Sequence, residues 1–233
     1  MALKFRSDMD VDLIDSMGDD SSVVRAARVS TLGSDSLQDT GESAGLIRFL
    51  AKNRHGSPFE HATFTFYVSA PLFVFREFQR HRIASYNEES GRYKELKPTF
   101  YVPADDRPIR QIGKPGAYEF VAGTPEQSRK MKYFIRSASV MTYGAYKAML
   151  KLGIAKEVAR MVLPLNTYSS MYVTMNARAL MNFLSLRTKD ETSLFPSYPQ
   201  REIEMVAEQM EAVFAEKMPL TYEAWDSSGR VAP

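Results

Sequence analysis

The sequence of 233 residues contains no cysteine. This absence excludes disulfide bridges, zinc sites built from thiolates and any mechanism that uses a cysteine nucleophile. An excess of charge of one sign is also missing, since 30 Lys and Arg against 28 Asp and Glu leave a net charge of +2. Proteins that capture nucleic acid or anionic lipid by overall charge are usually far more basic. We therefore expect any anion to be held at a local site.

Long apolar runs and the common nucleotide motifs are missing as well. Charged residues interrupt the N-terminal sequence MALKFRSDMDVDLIDSMGDD, and no segment reaches the roughly 18 uncharged residues of a membrane span. We expect a cytoplasmic protein with no membrane partner. The chain contains neither GxGxxG nor GxxxxGK, so a dinucleotide would have to be held by a different construction.

The three histidines, His55, His61 and His81, are close together in the sequence. Such clustering fits acid/base or ligand groups, but a strand edge or a helix end explains single histidines equally well. Their spacings lack the i, i+4 pairing of helical zinc sites, and no cysteine is available to complete a site. We expect no metal.

The periodicity of apolar residues predicts an α+β protein, with helices packed on a small, mainly antiparallel sheet in a single domain over residues 1–233. Apolar and polar residues alternate from His61 to Ala70, which is typical of a half-buried strand. Helices are predicted for PLFVFREFQRHR (71–82), for NARALMNFLSLR with Asn176 as its cap, and for PQREIEMVAEQMEAVFAEKMP (199–219) as the last helix.

A longer helix is predicted from Pro125 to about Gly153, after Thr124 as its cap. Its apolar residues recur at helical spacing and predict one stripe, formed by Phe134, Ala138, Met141, Ala145 and Met149. The Pro- and Gly-rich residues 104–124 before this helix are predicted to be a surface loop, and no motif assigns them a role.

The stretch RHRIASYNEESGRY, residues 80–93, concentrates guanidinium groups in a nearly neutral chain. Planar guanidinium groups match phosphate, and Ser90 and Gly91 add a hydroxyl and an unhindered backbone N–H beside Arg92. This pattern favours a phosphate site, with Glu88 as an acceptor for a sugar hydroxyl or a nucleobase N–H. The alternative is a solvated, salt-bridged helix end followed by a turn.

Three further arginines, Arg160, Arg178 and Arg187, stand in otherwise apolar surroundings. An unpaired charge would be costly there, so each needs a carboxylate or a ligand. A rival interpretation from another class is a nucleic-acid-binding module, in which the arginines hold phosphates while bases stack on Tyr86, Tyr93, Phe100 and Tyr101. The near-neutral net charge counts against it.

Four segments resemble the flavin-dependent thymidylate synthases. These are SPFEHATFTF, RHR followed after seven residues by Ser90, EVARMVLPLN and NARALMNFLSLR, which occur in the family's order and extend the resemblance over about residues 43 to 220. The resemblance implies the α+β fold peculiar to this family and a homotetramer with FAD and nucleotide between subunits. It also implies methylation of dUMP to dTMP, with methylenetetrahydrofolate as carbon donor and NADPH as reductant.

The resemblance also assigns roles to individual positions. It implies FAD contacts for Ser57, Arg80, His81, Arg82, Glu88, Asn176, Arg178 and Asn182. It implies dUMP contacts for Glu77, Arg80, Ser90, Gly91, Arg92, Arg160 and Arg187, with Arg160 reaching into a neighbouring subunit's site.

Two of these positions carry more specific expectations. Arg187 matches the catalytic arginine, whose fixed positive charge would stabilise an N3-deprotonated or enolate-like uracil. Glu77 stands where many relatives carry glutamine. Because a carboxylate cannot donate a hydrogen bond to phosphate, we expect Gln79 or a water to replace the contact that the glutamine makes.

Overall fold

The computed structural model describes residues 2–38, 43–114 and 117–233. Its strands are β1 Lys4–Arg6, β2 Asp10–Met17, β3 Thr63–Pro71, β4 Ser85–Glu88, β5 Thr99–Tyr101, β6 Arg110–Lys114, β7 Ala117–Val121 and β8 Tyr168–Asn176. Its α-helices are α1 Asp20–Leu32, α2 Ala44–Lys52, α3 Leu72–Phe78, α4 Pro125–Lys151, α5 Lys156–Ala159, α6 Ala177–Arg187, α7 Arg201–Lys217 and α8 Pro219–Ser227. Short 3-10 helices cover Gly33–Gln38, Ser57–His61 and Arg160–Val162.

The chain groups into two compact units. The first unit contains the described residues of 1–8, 70–75 and 89–169, and the second unit contains those of 9–69, 76–88 and 170–233. The α+β prediction is confirmed, since helices accompany small, mostly antiparallel sheets. The single-domain prediction for residues 1–233 is not tested by this grouping and stays a prediction.

The second unit is built on a four-stranded sheet of order β2-β3-β8-β4. The β2–β3 and β8–β4 pairs are antiparallel, and β4 runs in register from Ser85 opposite Thr174 to Glu88 opposite Met171. The predicted alternation in β3 is confirmed, because Phe64, Phe66 and Val68 are buried while their neighbours are half-buried. Helix α7 buries Ile203, Val206, Met210 and Phe214, and the rings of Phe64 and Phe214 meet edge to face at 6.0 Å.

The first unit surrounds helix α4, which begins after the predicted cap Thr124, and Thr124 and Gln127 form a capping box. The predicted stripe does not form the buried face of α4, since Phe134 is 63% exposed and Met141 is 69% exposed. Tyr143 and Tyr146 are buried instead, because their hydroxyl groups form hydrogen bonds with the backbone of Leu96. The Tyr143 hydroxyl donates to the Leu96 carbonyl, and the Leu96 N–H donates to the Tyr146 hydroxyl.

Three other predictions are corrected by the structure. Helix α3 ends at Phe78, so residues 79–82 follow the helix instead of completing it. The predicted loop 104–124 contains an antiparallel hairpin, β6–β7. All residues of β6 are exposed, so this strand lacks the alternation that reveals a half-buried strand. The last helix is α8, since Pro219 begins a new helix after α7 has ended at Lys217.

Candidate functional site

The residues after α3 form a tight, hydrogen-bonded turn. The N–H of Arg80 donates to the carbonyl of Glu77 at 3.3 Å, and the N–H of His81 donates to the carbonyl of Phe78 at 2.9 Å. The Tyr86 hydroxyl lies 2.8 Å from the carbonyl oxygens of both Phe78 and His81, and its burial raises the Tyr86 pKa to about 12. This turn buries His81 and leaves the flanking Arg80 and Arg82 exposed.

Arg187, at the C-terminal end of α6, is held by this turn. Its Nε donates to His81 Nε2 at 3.0 Å, its Nη1 donates to Glu77 Oε2 at 3.0 Å, and its Nη2 donates to the Glu77 carbonyl at 3.4 Å. His81 Nε2 accepts a hydrogen bond, so the imidazole must be neutral with its hydrogen on Nδ1. The two side chains of the ion pair are largely buried, at 18% exposure for Arg187 and 22% for Glu77.

The electrostatics of this cluster follow from burial. Burial, with a further contribution from the Arg187 guanidinium, lowers the pKa of His81 from its ordinary value of 6.5 to about 4. Burial raises the pKa of the Glu77 carboxyl; the Arg187 guanidinium opposes this rise, and the Glu202 carboxylate adds to it. The second carboxylate oxygen of Glu77, Oε1, is buried and has no hydrogen-bond partner among the described residues.

A cleft of about 580 Å³ opens in the second unit next to this turn. Six of the eight positions for which the sequence predicts FAD contacts line it, namely Arg80, His81, Arg82, Asn176, Arg178 and Asn182. The other two positions lie in the same unit but outside this lining: Ser57 begins a 3-10 helix, and Glu88 ends β4. The structure therefore brings most of the predicted set into one concave site.

The cleft also has residues that the sequence analysis missed. Arg178 donates from Nη1 to Glu60 at 2.6 Å and from Nε to the Pro233 carbonyl at 2.5 Å, and Arg54 donates to the Ala232 carbonyl at 3.1 Å. Glu60 lies within the recognisable segment SPFEHATFTF, which is the signal that could have found it. Residues 232 and 233 carry no motif that predicts their place in the cleft wall.

The predicted phosphate-binding residues cluster in the first unit. Gly91 is buried, and a Cβ at this position would lie 3.1 Å from Leu96 Cδ1 and 3.2 Å from Arg160 Cδ, so a side chain here would require these neighbours to shift. The Ser90 hydroxyl accepts from the Arg92 N–H at 3.3 Å, and the Ser90 carbonyl accepts from Tyr93 N–H at 3.1 Å. The Arg92 side chain pairs with Glu157 at 3.1 Å while about half exposed.

The structure contradicts the stacking surface of the nucleic-acid interpretation. Phe100 and Tyr101 are buried in the first unit, and the half-buried Tyr86 is engaged at the turn after α3. Of the four rings, only Tyr93 is widely exposed, at 78%.

Two other sequence-based expectations concern metals and membranes. Within residues 2–38, 43–114 and 117–233, no group of histidine and carboxylate side chains is arranged to hold a metal ion. His55 and His61 are exposed, and His55 packs edge to face on Phe49. None of the helices in the described part of the chain has the length and apolarity needed to cross a membrane.

Comparison with known proteins assigns the family. A model of the family described as "Thymidylate synthase complementing protein" matches residues 12–220. The flavin-dependent thymidylate synthase of Streptomyces coelicolor is 55% identical over 99% of this chain and 96% of its own length. That of Tropheryma whipplei strain TW08/27 is 56% identical over 98% of this chain and 97% of its own.

Solved structures agree with this assignment. The crystal structure of a UMP/dUMP methylase PolB from Streptomyces cacaoi, bound with 5-Br dUMP, matches with a TM-score of 0.94 and 50% identity over 99% of this chain and 100% of that chain. The same methylase bound with 5-Br UMP matches with a TM-score of 0.92. The chain belongs to the thymidylate synthase complementing protein family, the family of the flavin-dependent thymidylate synthases.

The lowered pKa of His81 predicts a dependence of stability on pH. The unfolded chain binds a proton at His81 near pH 6.5, whereas the folded chain does so only near pH 4. Between these values the unfolded state binds more protons, so the free energy of unfolding must fall as the pH is lowered. This residue should account for a loss of about 2 kcal/mol between pH 8 and pH 5.

Urea unfolding at both pH values measures this loss. The His81→Gln variant keeps an acceptor for Arg187 but does not titrate, so it should lose about 2 kcal/mol less than the wild type. The exposed His61→Gln variant serves as control and should behave like the wild type. An equal loss in wild type and His81→Gln would contradict the assignment.

Proposed function

We propose that this chain is a flavin-dependent thymidylate synthase that methylates dUMP to dTMP, with methylenetetrahydrofolate as carbon donor and NADPH as reductant through FAD. The observation that carries the proposal is the cleft lined by Arg80, Arg82 and Arg178 next to the buried Arg187 cluster. The family assignment and the relatives described above support it.

The donor set of the cleft fits FAD. The diphosphate of this cofactor requires cations, which Arg80, Arg82 and Arg178 supply, and its ring and ribose require neutral polar partners such as Asn176 and Asn182. We propose that His81, Ser57 and Glu88 complete the FAD site. When bound, FAD supplies the hydride that this chemistry needs. Because the chain has no cysteine, it cannot activate uracil by adding a thiolate.

For the nucleotide we propose two groups of residues. Ser90, Gly91, Arg92 and Arg160 would hold the phosphate, supported by the close approach of the Gly91 backbone to Arg160 and by the exposed guanidinium of Arg92. Arg187 and Arg80 would meet the base. The fixed positive charge of Arg187 would stabilise negative charge on the pyrimidine ring.

We also propose that the chain works as one domain and assembles into a homotetramer. The family model supports the first point, because it extends over residues of both compact units. The exposed stripe on α4 supports the second, since Phe134 and Met141 present a large apolar surface on a regular helix. The cytoplasmic location expected from the sequence stays a prediction.

Replacing Arg187 tests the catalytic proposal. The Arg187→Ala variant should lose methylation by about 100-fold or more, because a preorganised charge at the reacting ring is removed. FAD should stay bound, which visible absorbance measures, because Arg187 is not among the residues assigned to the cofactor. Arg201→Ala, which breaks the two ion pairs of Arg201 with Glu204 and Glu208 on α7, should keep normal turnover. Near-normal turnover of Arg187→Ala would remove this residue from the mechanism.

Replacing Arg92 tests the phosphate assignment. Calorimetry should show dUMP binding weakened by about 1.5 to 3 kcal/mol in Arg92→Ala, since a hydrogen bond between charged groups is lost. Lys94→Ala provides the matched control, because Lys94 is a neighbouring cation paired with Glu89 at 2.7 Å. If Arg92→Ala binds dUMP as tightly as the wild type, the assignment is wrong.

The exposed stripe of α4 predicts the effect of charge on assembly. The double variant Phe134→Glu and Met141→Glu should form smaller assemblies than the wild type, because burying carboxylates in an apolar interface is costly. Light scattering after size exclusion measures the mass, which should be four times that of the chain for the wild type. Leu37→Glu, at a 72% exposed position outside α4, should stay tetrameric. An unchanged mass of the double variant would place the interface elsewhere.

A further inference from the structure

The contacts of Glu77 show an arrangement that substrate binding alone does not explain. Its side chain and its backbone carbonyl both accept hydrogen bonds from Arg187. Together with His81 Nε2, these acceptors engage three of the five N–H hydrogens of the guanidinium. A planar fork held at Nε, Nη1 and Nη2 has its orientation fixed, and two hydrogens remain for a ligand.

We propose that Glu77 is a positioning residue, which acts through Arg187 by fixing the orientation of the guanidinium for catalysis. This inference rests on the proposed function and gives Glu77 a role different from the nucleotide contact that the family resemblance implies for it.

The geometry of the carboxylate supports this role. One oxygen, Oε2, forms the ion pair with Arg187. The other, Oε1, is buried without a hydrogen-bond partner among the described residues. Oε1 is therefore shielded from solvent, and Oε2 is already engaged by Arg187. A charged acceptor makes a stronger hydrogen bond to guanidinium than a neutral amide would, so the negative charge serves the contact with Arg187.

The arrangement is also sensitive to protonation. The charged or titratable groups that act on Glu77 are Arg187 on α6, Glu202 on α7 and, through Arg187, His81 in the turn. Since burial raises the pKa of the Glu77 carboxyl, its protonation begins at higher pH than for an exposed glutamate. A protonated Glu77 no longer forms the ion pair, so kcat should fall on the acid side.

The test is a double-mutant cycle on the FAD-loaded enzyme, with kcat for dTMP formation as readout. Glu77→Gln keeps the shape of the side chain and removes its charge. It should lower kcat about tenfold or more in the wild-type background, with little change in the KM for dUMP. In the Arg187→Lys background the same substitution should change kcat less than about twofold, because the group through which Glu77 acts is already altered.

The pH profile and a matched variant complete the design. The acid-side fall of kcat attributed to Glu77 should disappear in Glu77→Gln. Glu208→Gln neutralises a more exposed glutamate paired with Arg201 at 2.6 Å, and it should leave kcat and its pH profile unchanged.

Each remaining outcome would overturn the inference. Equal fold losses in the two backgrounds would mean that Glu77 acts independently of Arg187. A raised KM with normal kcat would return Glu77 to nucleotide binding, and a loss of FAD or of thermal stability that accounts for the lower rate would make its role structural. Wild-type protein that forms no dTMP would instead refute the proposed function, which separates the two failures.

Discussion

The candidate site depends on one interaction, the contact of the Arg187 guanidinium with Glu77 and His81. It joins the end of α6 to the end of α3 and the turn that follows it. In the chain, Arg187 lies 110 residues from Glu77 and 106 residues from His81. The contact requires a neutral imidazole and an ionised carboxylate at the same time. Burial favours the neutral imidazole because it lowers the pKa of His81, but it disfavours the ionised carboxylate because it raises the pKa of Glu77. The positive charge of Arg187 lowers both pKa values and so favours both required states.

The lack of cysteine determines what the Arg187 contact can contribute to the chemistry. Without a thiolate to add to the pyrimidine, the chain can contribute fixed charge, orientation and exclusion of water, while a redox cofactor supplies hydride. The cleft beside the turn is suited to this division of work. Its arginines offer cations for a diphosphate, and the Arg187 guanidinium is set apart from them by hydrogen bonds of its own.

Helix caps and apolar periodicity in the sequence predicted those parts of the fold that depend on contacts between residues near one another in the chain. Asn176 caps α6, Thr124 caps α4, and β3 alternates as its sequence predicts. The end of α3 was mispredicted because hydrogen bonds from beyond the helix, including that of Tyr86, stabilise a turn after Phe78. The buried face of α4 was mispredicted because tyrosines with satisfied hydroxyl groups replaced more apolar residues in the core.

The candidate site likewise combines features that the local sequence predicts with features that depend on contacts between distant residues. The motif around Arg80 and one arginine in apolar surroundings, Arg178, identified part of the lining of the cleft, and the family resemblance added Asn176 and Asn182. The pairing of Glu77 with Arg187 and the place of residues 232 and 233 could not be predicted, because they arise from contacts between distant parts of the chain. No periodicity or spacing encodes such contacts.

Tritium release from dUMP labelled at uracil C5 reports directly on methylation of the pyrimidine, with C5-labelled UMP measured in parallel. The assay contains methylenetetrahydrofolate and NADPH, and each of these and FAD is omitted in turn. We expect release from dUMP that requires the folate and FAD, whether FAD is added or already bound to the purified protein. No release from dUMP by protein that has bound FAD would contradict it.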